Sequence, residues 1–229
     1  MKILVADDEK EIADLIEIYL QNEGYEVLKF YRAEGVLDAV ERENISLAVL
    51  DVMLPDGDGL TLLREIRRGH YFPVILLTAK IQDTDKITGL TLGADDYITK
   101  PFNPLELMAR VKTQLRRYTR YNMGSGSEDA PSELTVRGLT IDREAHRARL
   151  NGSELVLTPI EFSILLYLCE RRGKVVTTEE LYEKVWGEEF LDANNTVMAH
   201  IARLRAKMHE PPRRPKYVKT VWGVGYTIE

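Results

Sequence analysis

The sequence contains a single cysteine, so the chain cannot form an internal disulfide bond. Cys169 lies in the apolar run ILLYLCE, which favours a buried core residue over a reactive thiol. The four histidines show no Cys/His ligand spacing, which argues against a zinc site. No apolar run is long enough to span a membrane, and the N-terminal MKILVADDE turns acidic where a signal peptide needs apolar residues. These absences predict a globular, cytoplasmic protein.

The charge of the chain is unevenly distributed. The formal net charge is -6, which by itself argues against nonspecific binding to nucleic acid. Residues 1–120 carry 16 Lys and Arg against 21 Asp and Glu, whereas residues 196–229 carry 7 against 2. The C-terminal end is therefore the part expected to meet an anionic partner.

A length of 229 residues is sufficient for two domains with separate cores. The segment MGSGSEDAPSE, at 123–133, is rich in Gly, Ser and acidic residues and has almost nothing to bury. We therefore predict one domain at residues 1–121, a flexible linker at 122–132 and a second domain at 133–229.

The pattern of apolar residues differs between these two parts. Before the linker, five short apolar runs alternate with five amphipathic helices, which predicts an α/β fold with a doubly wound, five-stranded parallel sheet. After the linker, short strands with an Asn151-Gly152 hairpin turn precede three helices and a terminal hairpin. That order predicts a smaller α+β winged helix-turn-helix domain.

Polar residues stand at the ends of several predicted strands of the first domain, where a parallel sheet places its functional sites. These residues are Asp7, Asp8, Asp51, Thr78 and Lys100. Taken singly, each is more often a solvated loop charge or a helix cap. Together, three carboxylates against one ammonium leave an excess of negative charge, and an all-oxygen site favours Mg²⁺.

The motifs around these residues resemble those of a known family. DDE at 7–9, LDVMLPDGDG at 50–59, LLTAK at 76–80 and GADDYITKPF at 93–102 are similar to the receiver domain of bacterial two-component response regulators. The C-terminal part resembles the winged helix of the OmpR/PhoB family, so the resemblance covers nearly the whole chain. The ending KTVWGVGYTIE is most similar to VanR-type regulators of vancomycin resistance.

The resemblance implies a flavodoxin-like receiver in which Asp51 accepts a phosphoryl group from a sensor histidine kinase. It also implies that Asp7, Asp8, Asp51 and the backbone carbonyl of Met53 hold Mg²⁺. Lys100 and Thr78 would contact the phosphoryl oxygens, and Tyr97 would act as a conformational switch. In the family the Lys100-Pro101 peptide bond is cis.

The family further implies a homodimer that forms on phosphorylation. Charged residues would pair across it, Lys86 with Glu106, Asp95 with Arg110, and Asp96 with Arg117. These pairs would surround an apolar cluster made of Ile87, Leu90 and Met108. The alternative for Glu106 and Arg110 is an ordinary i,i+4 pair on a solvated helix face.

The third helix of the C-terminal domain is predicted to bind double-stranded promoter DNA. Its apolar stripe leaves small residues and Arg203 opposite, and Arg203 would contact guanine in the major groove. We predict DNA contacts from Asn195, Ala199, His200, Arg203, Arg205, Lys207, Lys219 and Thr220. Trp222 replaces the arginine that the family often has in the wing. The loop WGEEFLDANN, at 186–195, lies where the family contacts RNA polymerase.

Two alternatives come from other functional classes. An aspartyl-phosphate hydrolase of the haloacid dehalogenase type would have a second Asp two residues after the first, a position that Met53 occupies here. A DNA-binding regulator that acts independently of phosphorylation would not need the complete set of five strand-end residues.

Overall fold

The computed structural model describes residues 1–79, 92–123, 133–187, 190, 194–211 and 213–229. The chain forms two compact units, Met1–Tyr118 and Thr119–Glu229. Most of the predicted fourth helix and of the predicted linker lie outside the described residues. Within the described residues, no helix is both long and apolar enough to cross a lipid bilayer.

The N-terminal unit is built on a five-stranded, all-parallel sheet with the order β2-β1-β3-β6-β7. Its strands are β1 Lys2–Ala6, β2 Glu26–Phe30, β3 Ile45–Asp51, β6 Val74–Thr78 and β7 Asp96–Thr99. Two short strands, β4 Met53–Leu54 and β5 Gly57–Asp58, pair as a separate hairpin. The helices are α1 Lys10–Asn22, α2 Val36–Arg42, α3 Gly59–Ile66 and α4 Pro104–Met123. The predicted parallel α/β fold is confirmed.

The burial of the strands follows from their order in the sheet. β3 and β6 are buried along almost their whole length, because a parallel sheet of this kind is covered on both faces. β2 lies at the edge and is only half buried, and its Lys29 pairs with Asp14 and Glu17 of α1. The cluster that packs on one face combines α1 and α4 side chains with strand residues such as Val49 and Ile75.

The loop after β3 leaves no space for a side chain at Gly59, the first residue of α3. The Gly59 N–H donates to the Val52 carbonyl at 3.0 Å. A Cβ added to Gly59 would lie 2.0 Å from the carbonyl oxygen of Asp51. Any side chain at residue 59 would therefore displace the backbone of Asp51.

The described residues of the C-terminal unit form two small antiparallel sheets and three helices. The first sheet has the order β11-β10-β9-β8, and the second has the order β12-β14-β13. The strands are β8 Glu133–Val136, β9 Leu139–Asp142, β10 Arg147–Leu150, β11 Ser153–Leu155, β12 Val176–Thr177, β13 Val218–Val221 and β14 Gly225–Ile228. The helices are α5 Pro159–Glu170, α6 Thr178–Trp186 and α7 Asn194–Lys207.

Local signals in the sequence account for these boundaries. Asn151 and Gly152 have positive φ angles of 51° and 85°, as the hairpin turn between β10 and β11 requires. Thr158 and Glu161 form a capping box at the start of α5. Gly187 ends α6 in the left-handed conformation. The order of elements confirms the predicted winged helix-turn-helix.

The capping glutamate of α5 also holds α7 in place. Glu161 is completely buried, and its carboxylate accepts hydrogen bonds from Arg203 at 2.6 Å and from Lys207 at 2.7 Å. Burial alone would raise the pKa of Glu161. The charges of Arg203 and Lys207 outweigh burial and lower the pKa to about 2. The carboxylate therefore stays ionised and joins the start of α5 to the second half of α7.

We expect Gly59→Ala to destabilise the N-terminal unit by about 2 kcal/mol, because the added methyl group collides with the Asp51 carbonyl. Thermal unfolding followed by circular dichroism measures this change. Gly69→Ala is the matched control, since a Cβ there meets nothing within 4 Å. Both tryptophans lie in the C-terminal unit, so an unchanged tryptophan transition would confirm that the damage is local. Equal melting temperatures for the two variants would contradict the prediction.

A second prediction concerns the buried Glu161. The pKa of this carboxyl is about 2 in the folded chain against an ordinary value of 4.5. Its stabilising effect is therefore complete above pH 4.5 and is lost as the pH falls toward 2. At neutral pH, Glu161→Gln should destabilise the C-terminal unit by about 3 kcal/mol, because Arg203 and Lys207 lose their counter-charge.

Chemical denaturation of the full chain is followed by tryptophan emission, to which the buried Trp186 of the C-terminal unit contributes. It gives the free energy of unfolding of this unit in the wild type and in Glu161→Gln. The difference between the wild type and Glu161→Gln should shrink between pH 4.5 and pH 2. Glu179→Gln, at an exposed position of α6, is the control and should leave the stability unchanged. A difference that does not vary with pH would show that the charge of Glu161 is not what stabilises the unit.

Candidate functional site

The predicted strand-end residues meet at the carboxyl edge of the parallel sheet. Asp7 follows β1, Asp51 ends β3, and Lys100 follows β7. Oxygen atoms of Asp7, Asp8 and Asp51 lie within 4.8 Å of one another. Asp7 and Asp51 are buried, whereas Asp8 is exposed. The edge of the sheet thus gathers three carboxylates, one of which faces solvent.

The Lys100 ammonium is the counter-charge for this cluster. Its Nζ lies 2.6 Å from Asp51 Oδ2 and 2.8 Å from Asp7 Oδ2. It also lies 2.9 Å from Glu9, a residue for which the sequence analysis predicted no role. Burial tends to lower the pKa of Lys100, but hydrogen bonds to Asp51, Asp7 and Glu9 raise it above its ordinary value. Lys100 therefore remains a cation in contact with three carboxylates.

Asp7 is the least well solvated of the carboxylates. Its side chain is completely buried, and burial raises its pKa although Lys100 acts in the opposite direction. Asp7 Oδ1 accepts a hydrogen bond from the Glu9 N–H at 3.0 Å. Asp7 Oδ2 lies 2.8 Å from the Lys100 ammonium. A buried carboxylate oxygen of this kind is suited to a cation.

The donor set at this edge fits Mg²⁺. Mg²⁺ prefers oxygen ligands, usually one or two carboxylates together with water. Asp7, Asp8 and Asp51 supply the carboxylates, and the exposed Asp8 leaves an open side for water and substrate. A divalent cation here would neutralise the negative charge that Lys100 alone does not balance.

The backbone fixes the direction of the Asp51 side chain. Asp51 Oδ1 accepts a hydrogen bond from the Met53 N–H at 2.9 Å, while Oδ2 contacts Lys100. The Met53 side chain is exposed beside this carboxylate. The Lys100-Pro101 peptide bond is cis, as the resemblance implied. Both carboxylate oxygens are therefore oriented before any ligand binds.

Thr78 and Tyr97 lie on the neighbouring strands β6 and β7, Thr78 at the carboxyl edge and Tyr97 two residues before it in register. Thr78 is buried at the end of β6, and its carbonyl accepts a hydrogen bond from the Lys100 N–H at 2.8 Å. Tyr97 lies in β7 and is half buried. The structure thus connects Thr78 to Lys100 through the backbone, and the roles of Thr78 and Tyr97 in a switch stay predictions.

The structure describes only some of the residues that were predicted to form the dimer interface. Lys86, Ile87 and Leu90 lie outside the described residues. Arg110 bonds within its own chain to Asp96 at 2.9 Å and to Glu106 at 3.0 Å. Arg117 donates a hydrogen bond to Gln114 at 2.8 Å. Glu106, Arg110 and Arg117 are at least partly exposed, so pairing across a dimer stays a prediction for them.

Three of the dimer residues require correction. Asp96 was expected to pair across the interface with Arg117, but it is buried and pairs with Arg110 of its own chain. Asp95 was expected to pair across the interface with Arg110, but it is only 1% exposed and lies 2.7 Å from the guanidinium of Arg67. It also accepts a hydrogen bond from the Val74 N–H. Met108 was expected in the interface but is buried in the core on the α4 side of the sheet. These side chains are turned inward because the charges of Asp95 and Asp96 are neutralised within the chain and Met108 fills the core.

Three of the predicted DNA contacts require a similar correction. Ala199, His200 and Arg203 were placed on an exposed face of α7, but all three are buried. α7 packs against both α5 and α6, so its buried face is wider than a single apolar stripe. His200 packs edge-to-face on Trp186 with ring centroids 5.3 Å apart, and Arg203 is committed to Glu161. His200 therefore cannot reach a phosphate in this conformation.

Four other predicted DNA contacts, Arg205, Lys207, Lys219 and Thr220, are partly accessible. Arg205 donates hydrogen bonds to the Val218 carbonyl at 2.9 Å and to Thr220 Oγ1 at 2.7 Å, which ties α7 to β13. Lys219 forms an ion pair with Glu229, and Lys207 forms one with Glu161. The side chain of Asn195 lies outside the described residues. Their contacts with DNA stay predictions.

Glu161 and Arg67 are important polar residues that the sequence analysis did not identify. Glu161 caps α5, and its buried pair with Arg203 adds a contact between residues 42 positions apart. Arg67 was unassigned, although its guanidinium contacts Asp95 and donates to the carbonyls of Gly93 and Phe72. The sequence carried no signal for these pairs, since each joins distant segments.

Comparisons with known proteins match both units. Residues 3–112 match the model of the response regulator receiver domain, and residues 152–228 match that of the C-terminal domain of transcriptional regulatory proteins. The chain is 62% identical to the regulatory protein VanRc of Enterococcus gallinarum, over 100% of this chain and 98% of that protein. It is 53% identical to VanR of Enterococcus faecium, with the same coverage of both chains.

Solved structures agree with these relatives. A RitR mutant covers 100% of this chain and 98% of its own, with a TM-score of 0.75 and 27% identity. DrrB of Thermotoga maritima, described as an OmpR/PhoB homolog, is 38% identical with a TM-score of 0.52, covering 99% and 98% of the two chains. The chain is thus a DNA-binding transcription regulator that belongs to the OmpR/PhoB family of two-component response regulators.

Proposed function

We propose that Asp51 accepts a phosphoryl group from the phosphohistidine of a sensor histidine kinase. The observation that carries this proposal is the geometry at the sheet edge, where Lys100 contacts both Asp51 and Asp7 beside the exposed Asp8. A carboxylate oriented by Met53 N–H and Lys100 is a positioned nucleophile. One of its oxygens would form a bond to phosphorus as the phosphorus–nitrogen bond breaks, leaving the electron pair on the imidazole nitrogen.

The other residues of the site would support this transfer. Asp7, Asp8, Asp51 and the carbonyl of Met53 would hold Mg²⁺, which neutralises charge on the phosphoryl oxygens when it is bound. Lys100 would exchange its contact with Asp51 for one with a phosphoryl oxygen. Thr78 would donate a hydrogen bond to another of these oxygens, and Tyr97 would follow its movement.

Phosphorylation is proposed to act by shifting a conformational equilibrium toward a homodimer. It replaces one negative charge by about two and adds acceptor oxygens beside Lys100. The partly exposed charges of Glu106, Arg110 and Arg117 on α4 support a charged interface on this helix. In the monomer, Arg110 is held by Asp96 and Glu106, so a dimer would have to exchange or share these contacts.

In the proposed cellular role, the dimer binds promoter DNA and contacts RNA polymerase in the cytoplasm. High identity to VanRc and VanR supports a place in the control of vancomycin resistance genes. Steady phosphatase turnover is not part of the proposal, because Met53 occupies the position where a hydrolase of this kind has its acid/base Asp.

Replacement of Asp51 tests the phosphoryl acceptor. We expect Asp51→Asn to abolish phosphorylation by a small-molecule phosphodonor, together with the dimer and the DNA enrichment that depend on it. The measurements are intact mass, size-exclusion chromatography and sequencing of the genomic DNA retained by the chain. Asp38→Asn, an exposed carboxylate on α2, is the control and should behave as the wild type. If Asp51→Asn retained phosphodonor-dependent DNA enrichment, the proposed switch would be wrong.

A further prediction concerns the lifetime of the phosphoryl group. The thioether of Met53 is exposed beside Asp51 and cannot orient a water molecule for attack on phosphorus. We expect the phosphorylated chain to last tens of minutes or more, and Met53→Asn to shorten that time about tenfold. Loss of the phosphoryl group is followed by mass spectrometry after the phosphodonor is removed. A wild-type lifetime of seconds would contradict the prediction, as would an unchanged lifetime in the variant.

A further inference from the structure

The loop that follows β3 is fastened to a neighbouring loop by one carboxylate. Asp56 lies in the turn between β4 and β5 and accepts hydrogen bonds from the backbone N–H groups of Ala33 at 2.6 Å and Glu34 at 3.0 Å. Both donors belong to the β2–α2 loop, residues 31–35. The hydrogen bond from Ala33 lowers the pKa of Asp56, so the carboxylate is ionised at neutral pH and its charge strengthens both hydrogen bonds. Asp56 thus joins segments that are 23 positions apart.

The two loops also approach each other closely at Gly57, next to Asp56. A Cβ added to Gly57 would lie 2.9 Å from the Cβ of Ala33, whereas carbon atoms pack at about 3.5–4.0 Å. Gly57 is not among the glycines with a positive φ angle, so its backbone conformation does not itself demand glycine. The position requires instead that no side chain faces Ala33.

The β2–α2 loop connects two parts of the proposed Mg²⁺ site. Before its start, the carbonyl of Phe30, the last residue of β2, accepts a hydrogen bond from the Asp7 N–H at 3.1 Å. Near its end, the loop holds the β4–β5 hairpin through Asp56. That hairpin begins at Met53. One short loop is therefore attached both to the carboxylate that follows β1 and to the hairpin whose first carbonyl is proposed to bind the ion.

We propose that Asp56 is a positioning residue for the Mg²⁺ site: it holds the β4–β5 hairpin against the β2–α2 loop and so sets the place of the Met53 carbonyl relative to Asp7. This inference rests on the proposed function and adds a residue that does not itself contact the ion, since both carboxylate oxygens of Asp56 are bonded to the β2–α2 loop. Mg²⁺ requires nearly ideal octahedral geometry, so a small displacement of one ligand weakens its binding. Residues that orient metal ligands from outside typically contribute about 10- to 100-fold in affinity.

Binding of Mn²⁺ to the full chain, without phosphodonor, tests this role directly. Mn²⁺ takes the same oxygen ligands as Mg²⁺, its free concentration is measured by electron paramagnetic resonance, and competition with Mg²⁺ gives the affinity for Mg²⁺. We expect Asp56→Ala to weaken the binding of both ions about tenfold. Glu34→Gln is the matched control, because it removes one negative charge from the same loop and keeps the backbone N–H that donates to Asp56. Its effect should stay below about twofold at about 0.15 M salt, since an exposed charge is screened.

A second pair of variants moves the hairpin while every charge is kept. Gly57→Ala adds a methyl group that collides with Ala33 and should push the two loops apart, lowering the affinity for Mn²⁺ about as much as Asp56→Ala does. Ala33→Gly in the same chain removes the colliding atom and should restore most of the affinity. Ala33→Gly alone is the control and should bind Mn²⁺ as the wild type does.

A positioning role also predicts how phosphorylation depends on Mg²⁺. In Asp56→Ala, the Mg²⁺ concentration that gives half of the maximal phosphorylation rate should rise about tenfold, while the rate at saturating Mg²⁺ stays that of the wild type. Thermal unfolding in the presence of EDTA measures the stability of each variant without the ion. A lower rate at saturating Mg²⁺ would show that the substitution damages more than the metal site and would overturn the positioning role.

The outcomes separate this inference from the function on which it rests. Wild-type affinity for Mn²⁺ in Asp56→Ala, an equal loss in Glu34→Gln, or no recovery when Ala33→Gly is added to Gly57→Ala would each overturn the inference and leave phosphorylation of Asp51 standing. A wild type that binds no Mn²⁺ would overturn both the inference and the proposed Mg²⁺ site. A wild type that binds Mn²⁺ but accepts no phosphoryl group on Asp51 would overturn the proposed function alone.

Discussion

The contact between Lys100 and the carboxylates at the sheet edge is the interaction on which the receiver site depends. Buried carboxylates are tolerated only where a cation or hydrogen bonds replace water. Lys100 supplies the cation for Asp7 and Asp51. Without it, two buried carboxylates at the ends of neighbouring strands would repel each other. The negative charge of the site is nevertheless only partly neutralised, since one ammonium contacts Asp7, Asp51 and Glu9 while Asp8 lies beside them. A site with excess negative charge is ready to bind a divalent cation.

The buried charge in the C-terminal unit has the opposite balance. Glu161 is a single carboxylate between two cations, Arg203 and Lys207, and the group is thus left with excess positive charge. The excess positive charge of this group disfavours the binding of a metal ion. It stabilises the packing of α7 on α5 and leaves a positive charge on a helix of a DNA-binding unit. The net charge of each group therefore distinguishes the two: the negative group at the sheet edge can bind a cation, whereas the positive group around Glu161 stabilises helix packing.

The sequence predicted the elements more completely than the directions of their side chains. Alternating strands and helices determine the parallel sheet, because only right-handed crossovers connect such strands and both faces must be covered. Strand-end positions then bring Asp7, Asp51 and Lys100 to one edge, which is why that part of the site followed from the sequence. The pairing of Glu9 with Lys100 was not predicted, because Glu9 lies at the start of α1 and not at the end of a strand.

The predictions from the sequence were wrong where a side chain could point either into the core or toward solvent. Asp95 and Asp96 are adjacent acids, and both are buried. Arg67 pairs with the first and Arg110 of the same chain with the second, which the sequence does not show. On α7, alanine and a long arginine give no clear signal of burial, so the face containing Ala199 and Arg203 was assigned to solvent. The burial of His200 depends on Trp186 from α6, a contact that helical periodicity cannot show.

These corrections change the expected balance of forces at the DNA. Of the cations in the C-terminal segment, Arg203 and Lys207 are paired with Glu161, Arg205 is bonded to β13, and Lys219 is paired with Glu229. The charge available to phosphates is therefore smaller than the residue count suggests, and one copy gains less electrostatic affinity. Under the proposed function, weak binding by one copy is what makes regulation effective. Two linked copies multiply their affinities through the effective concentration of the second, so phosphorylation that favours the dimer controls occupancy of the DNA.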